Sequence, residues 1–301
     1  MDRLVSVVVP VGRVDQALRV QLDAVRAQEL DAPVEVVLAR NTAEAADVRA
    51  LDALVDDLGD RRFRVVDASD VRGASHARNV GAAAAGGAVL AFCDSDDVVH
   101  PGWLAAITGA LDDLDAAGGR IVDVGLTERH RQARPAMTPD ALPTFFGVPY
   151  MGSGNMAITR EAFDDVGGFD ESLDRCEDIA LSWSLLVAGR RIGFASDAVI
   201  DYHHRPGTLG MVKQHVAYGR GMAQVLARYG VPDDGGWRRP RGLALLKPNP
   251  RPMVSADEVR VPAAQGSGDR SRRSLLGMLR RGSLAAGRLW GLIEERAWTE
   301  R

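Results

Sequence analysis

The sequence predicts an α/β fold on a mostly parallel central sheet, and three observations predict it. Short apolar, β-branched runs alternate with segments of helical period through the first hundred residues. Several of these runs end in turn residues, and the fourth runs directly into a cluster of acids. The chain has 301 residues, 46% hydrophobic and 26% charged, an ordinary balance that allows a full-sized core.

The elements follow in order. Leu4–Val9 is a β-branched run of strand length closed by Pro10-Val11-Gly12. It starts almost at once and stops at Pro10 and Gly12, so it reads as a buried strand and not as a secretory leader. From Arg13 to Gln28, Val14, Leu18, Leu22 and Val25 recur three or four apart, the spacing of an amphipathic helix. Val34–Leu38 is a second strand, Ala43–Leu58 a helix and Phe63–Val66 a third strand. Ser75–Ala85 is a small-residue helix stopped by Gly86-Gly87, and Val89–Cys93 is the fourth strand. A helix is expected over 101–115, with Pro101 in its first turn, then a strand at Ile121–Leu126. Glu161–Val166 and Asp178–Ala188 read as helices, and Arg191–Phe194 and Ala198–Tyr202 as short strands. Thr208–Tyr229 reads as one long helix. Residues 231–270 carry six prolines among many glycines and read as a linker, and 271–298 regain a leucine period.

In a parallel α/β sheet, ligands bind beyond the carboxyl ends of the strands. Asp94, Asp96 and Asp97 stand at such an end. An acidic turn is often only a solvated turn, but two carboxylates from one turn also suit a hard divalent cation, with phosphate oxygens and water completing its shell. Glu177-Asp178 opens a helix, where acids cap the backbone and match the dipole; a carboxylate fixed there also suits a general base. The pair His203-His204 fits either packing or a metal ligand. Arg78 fits either a solvated helix position or a phosphate clamp.

Composition narrows the function classes. The net charge of −4 argues against nucleic acid as the main partner. All but two of the 37 basic residues are arginine, a composition that accompanies the abundant Ala and Gly. The two cysteines, Cys93 and Cys176, are too few for a disulfide framework and fit a reducing compartment, so a cytoplasmic protein is expected. No run of about 18 apolar residues reads as a membrane span.

Taken in order, the segments resemble the family 2 glycosyltransferases. The blocks are Val5–Pro10, Ser75–Gly81, Leu90–Asp97, Gly152–Arg160, Val166–Glu171, Cys176–Trp183 and Tyr202–Arg205. The resemblance implies the GT-A fold, a Rossmann-like α/β/α sandwich, and an inverting, metal-dependent transfer from a nucleotide-diphosphate sugar. It implies a donor site of Pro10, Val11, Arg40, Asn41, Arg78, Asp94, Ser95 and Asp96. Asp94 and Asp96 would form the Asp-x-Asp motif, and Asp96, Asp94 and His203 or His204 would hold Mn²⁺ or Mg²⁺. Asp178 would be the base, with Glu177 beside it, and Gly154, Asn155 and Trp183 would line the acceptor side. One block departs from the family pattern: Leu38-Ala39-Arg40-Asn41-Thr42 lacks the acid expected to read the base. An arginine there reverses the hydrogen-bond sense, which disfavours uridine and leaves guanosine or deoxythymidine, with Asn41 as a candidate substitute.

The expected organisation is a catalytic domain over 1–230, its donor half about 1–100 and acceptor half about 101–230. A linker over 231–270 and a basic amphipathic tail over 271–301 follow. The tail suits packing on the domain, a homodimer, or peripheral contact with the inner face of the cell membrane. The expected acceptor is a glycan, a lipid-linked sugar or a small molecule. A non-catalytic nucleotide-sugar-binding scaffold is the competing reading. A dinucleotide-dependent oxidoreductase is excluded, because no Gly-x-Gly-x-x-Gly follows the first strand.

Overall fold

The computed structural model describes residues 3–125, 140–203, 208–233, 236–238 and 275–299. They fall into two compact units. The first comprises Met1–Val122, Met151–Glu171 and Ser184–His203; the second comprises Asp123–Tyr150, Ser172–Trp183 and His204–Arg301.

In the first unit, β1 (Val5–Val11) is buried at all seven positions and lies inside the sheet. It pairs in parallel with β2 (Val34–Arg40) and with β4 (Val89–Cys93), and β2 pairs in parallel with β3 (Phe63–Asp67). Helix α1 (Gln16–Arg26) starts where Asp15 caps it, Oδ1 accepting the Ala17 and Leu18 N–H groups. It buries Leu18, Leu22 and Val25 as the period required, together with Gln21. Helix α2 (Ala45–Leu58) ends on Gly59 at φ +61, a left-handed cap that favours glycine. Helix α3 (Ala74–Ala84) is rich in small residues because it lies close on β1. A Cβ at Gly81 would stand 2.5 Å from Val8 Cγ1.

Three expectations shift here. The helix expected over 101–115 is α4 (Trp103–Gly109) plus a 3₁₀ turn at Ala110–Asp112, because Gly102 at φ +79 lies outside helical backbone. The strand expected at Ile121–Leu126 is β6 (Ala116–Val124) and begins five residues earlier. Its start is small for a reason: a Cβ on Gly119 would meet Ala198 O at 2.2 Å. The two short strands at 191–202 are one strand; Ser196 and Asp197 are both exposed, which breaks the alternation but not the strand.

The remaining strands among the described residues up to 203 are β5 (Val98–Val99), β7 (Thr144–Phe145), β8 (Val148–Pro149), β9 (Asn155–Thr159) and β10 (Ile192–His203). The eight-stranded order is β3-β2-β1-β4-β9-β6-β10-β5. The parallel half ends at β4; β9 joins it antiparallel, and β6 pairs antiparallel with β9. The acidic turn therefore leaves the strand at which the sheet changes from parallel to antiparallel pairing. The first unit is not confined to residues before 100, since the antiparallel strands from 116 to 203 extend the same sheet.

Helix α5 (Arg160–Asp165) is capped by the Thr159 hydroxyl, and α6 (Glu177–Val187) follows. In the second unit, α7 (Thr208–Tyr229) packs along α8 (Leu275–Thr299). Glycines let the backbones approach: a Cβ at Gly287 would stand 2.0 Å from Val216 O, and one at Gly219 would stand 2.2 Å from Leu284 O. The stretch read as linker opens with a hairpin, β11 (Val231–Asp233) and β12 (Gly236–Arg238). The rest of that stretch, 239–274, lies outside the described residues.

Candidate active site

Strand β4 is wholly buried and delivers Asp94 to its carboxyl end. Arg78, 3% exposed on α3, donates to Asp94 Oδ1 at 2.5 Å, and its guanidinium lies 5.4 Å from the Phe169 ring centre. Gly154 closes on the same carboxyl group: a Cβ there would stand 2.7 Å from Asp94 Oδ2. Asp94 is thus matched by a buried cation and confined by a residue with no side chain. Asp96 is exposed. Asp97 is buried, and its Oδ1 accepts the His203 backbone N–H at 3.1 Å. Burial, then the charge of Asp94 and more weakly that of Asp96, push the Asp97 carboxyl up to about 8. Its Oδ2 is buried without a hydrogen-bond partner. A dense anionic turn of this kind favours a cation beside it.

The turn is held by a residue the motif reading did not single out. Gln21 Nε2 donates to Asp94 O at 2.9 Å, while its Oε1 accepts the Val99 N–H at 3.0 Å. The only advance signal was a polar residue on the buried face of α1. Gln28, one further residue of this kind, takes the Leu104 N–H and donates to His100 O.

In the second unit, Glu177 and Asp178 occupy the first turn of α6. Asp178 Oδ1 accepts the Ile179 N–H at 2.8 Å, and the Ser182 hydroxyl donates to Asp178 O. Cys176, just before them, holds φ +67, an uncommon backbone for a residue with a side chain. Burial and then the Asp178 charge raise the phenols of Tyr150 and Tyr218, so both stay neutral beside that carboxylate. Tyr150, Tyr218 and Cys176 were not expected near Asp178, since nothing local in the sequence links them.

Other expected site residues take internal roles. Pro10 and Val11 are buried, and Val11 O accepts the Asn41 N–H. The Asn41 amide donates to Ala68 O and Val71 O and accepts the Gly73 N–H, so it ties down the 68–73 loop and is not open to a base. Arg40 pairs with Asp67 at 2.6 Å and donates to Thr42 O. Ser95 is partly exposed beside Asp94. Asn155 is 0% exposed, and its amide bonds Trp103, Arg120 and Ala198, which makes it a staple of the sheet and not an acceptor contact. Trp183 is also 0% exposed, stacked on Phe145 at 5.7 Å, and belongs to the core of the second unit. His203 is exposed and tethered to Asp97 by its backbone alone; His204 lies outside the described residues. Among the described residues no three His, Cys, Asp or Glu side chains gather to hold a metal.

A third cluster braces α3. His76 Nδ1 contacts Glu171 and Nε2 contacts Asp70, both at 2.8 Å. With a carboxylate on each nitrogen, both nitrogens must donate, which requires the imidazolium. Glu171 chiefly, then Asp70, raise its pKa above the ordinary 6.5 against the opposing effect of burial. A raised folded value gives stability that is complete below pH 6.5 and is lost as pH rises through the folded pKa. His76→Gln is therefore expected to destabilise by about 1 kcal/mol at pH 5.5 and by much less at pH 8.5. Melting curves at the two pH values check this; a gap that stays constant or widens with pH contradicts it.

A family model described as glycosyl transferase family 2 matches residues 6–167. The chain is similar to the pre-mycofactocin glycosyltransferase of Mycobacterium tuberculosis, 29% identical over 168 residues, 52% of this chain and 36% of that protein. It is similar also to the succinoglycan biosynthesis protein ExoO of Rhizobium meliloti, 33% identical over 181 residues, 54% of this chain and 51% of that protein. The match thus spans about half or less of these relatives' length. Among solved structures, mannosyltransferase PcManGT from Pyrobaculum calidifontis, in complex with GDP-Man and Mn²⁺, gives a TM-score of 0.58 at 19% identity, over 78% of this chain and 65% of that one. S. aureus TarS 1–349 in complex with UDP-GlcNAc gives 0.54 at 18% identity, over 74% and 70%. These likenesses show a common fold, the GT-A architecture the motifs implied.

Proposed function

The chain belongs to glycosyl transferase family 2, and on that premise we propose that it moves a sugar from a nucleotide-diphosphate donor to an acceptor hydroxyl, with inversion at the anomeric carbon. The observation that carries this reading is the buried Arg78–Asp94 bond at the carboxyl end of β4, with Asp96 exposed two residues on. Arg78 holds the Asp94 carboxyl in one orientation, ready to accept hydroxyl hydrogen bonds from a ribose. Asp96, with Asp94 beside it, would hold Mn²⁺ or Mg²⁺, with His203 or His204 as a further ligand. Such an ion, when bound, neutralises charge on the departing diphosphate. Burial, and then the neighbouring Asp94 charge, raise Asp97 to about 8, and the Asp94 and Asp96 carboxylates beside it support a cation there.

In the transfer, Asp178 takes the proton of the acceptor hydroxyl. The hydroxyl oxygen bonds to the anomeric carbon as that carbon's bond to the diphosphate oxygen breaks. Glu177 shares the acceptor side. Asp178 is suited to the role because it is fixed at a helix start and flanked by neutral phenols. Complexes of the neighbours with GDP-Man and UDP-GlcNAc support the donor class. The stretch 38–42, which holds no carboxylate, supports guanosine or deoxythymidine over uridine. A glycan, lipid-linked or small-molecule acceptor fits, and the relative named for succinoglycan biosynthesis supports a glycan. Two buried free thiols support a cytoplasmic setting.

The test pairs binding with turnover. GDP, dTDP and UDP are screened by thermal shift with Mn²⁺ and with EDTA, and release of the nucleoside diphosphate from the matching sugar nucleotide is then followed. We expect one diphosphate to raise the melting temperature by several degrees at about 100 times its Kd, with Mn²⁺ required. No shift with any diphosphate sinks the donor-site reading. A shift without turnover on any acceptor favours the binding-only scaffold.

A further inference from the structure

Helix α8 is polar toward the protein and apolar toward solvent, the reverse of an ordinary surface helix. Toward α7 it presents glycines that allow close approach and arginines that reach inward. Arg288 is half-buried, with its guanidinium 5.9 Å from the Phe145 ring centre and bonded to Met222 sulfur. Toward solvent it presents Met278, Leu279, Leu289, Trp290 and Ile293, which are 50%, 44%, 52%, 56% and 61% exposed. The exposed positions between them, 282, 285 and 286, are Gly, Ala and Ala. No charged side chain interrupts this face, which spans 16 residues, about 24 Å along the axis.

The charge around the face is net basic. From Arg270 to Arg301 the sequence holds eight arginines against three glutamates, of which Glu294 accepts from Trp290 Nε1 at the edge of the face, in a chain whose net charge is −4. Arg281 lies on the half-buried flank of the helix. Among the described residues no helix is long and apolar enough to cross a membrane. We infer that α8 docks flat on an anionic lipid bilayer, its solvent-facing apolar side sunk among the acyl chains and its flanking arginines at the headgroups. A second copy of the chain is the poorer occupant. Pairing two such faces would bring two net basic segments together.

This inference rests on the helix face and not on sugar transfer, so a catalytically dead protein should bind equally well. The experiment uses the full chain with phosphatidylglycerol–phosphatidylcholine vesicles and with pure phosphatidylcholine vesicles, scored by flotation at low and high salt. Binding is expected to be at least about tenfold tighter on the anionic vesicles and to weaken with salt. The double substitution Leu289→Asp, Ile293→Asp, at outward positions, is expected to lower it about tenfold or more with an unchanged melting temperature. Absence of vesicle binding, equal binding to both compositions, or equal binding by the double variant overturns the inference. So does a dimer in sedimentation equilibrium that the double variant splits, which would assign the face to a second copy.

Discussion

Asp178→Asn is expected to lower the rate of sugar transfer by about 10²–10⁴-fold, the range carried by a positioned general base. The substitution is chosen to separate two roles. Asparagine keeps an oxygen to accept the Ile179 N–H, 2.8 Å away in the native chain, so the first turn of α6 stays capped. What it loses is the basicity to take a proton. If Asp178 only caps the helix, the variant should turn over normally; if it is the base, kcat collapses while donor affinity and melting temperature hold. Single-turnover rates and a donor-binding titration on the same preparation decide, and a near-normal rate removes the assignment.

Arg78→Met is expected to destabilise the first unit by about 3–5 kcal/mol, the usual cost of removing one member of a buried ion pair. The loss has a specific origin. Asp94 would keep its charge with no cation 2.5 Å away, beside Asp96 and Asp97, and Phe169 would lose the guanidinium over its ring. For a chain of this size that corresponds to a fall in melting temperature of roughly 10 °C. Asp94→Asn in the same background removes the stranded charge and should restore part of the loss. A double-mutant cycle measures the coupling, expected at about 1–3 kcal/mol. Strict additivity would mean that the pair does not interact as described, and that Arg78 serves packing alone.

The two experiments probe features of different legibility. The strand end that carries Asp94 was readable because a buried β-branched or apolar run followed by acids is a local pattern. So were the helix start at Glu177-Asp178 and the order of the motifs. The bond partners were not. Gln21 reaches Asp94 across 73 positions of sequence, and the reach of Arg78 to Asp94 depends on α3 lying against β1 at Gly81. Asn41 and Asn155 show the converse. Their chemistry suited ligand contact, and only burial revealed that backbone carbonyls and neighbouring side chains already occupy their amides.

By itself, the sequence determined the alternation of strands and helices, the acids at the fourth strand's end and the leucine period of the last helix. These depend on backbone propensity and spacing within a dozen residues. Only the tertiary structure decided which polar groups remain open to a ligand and which way the last helix turns its apolar side. Both depend on what lies across the gap between elements, and that neighbour is supplied by chain folded from far away.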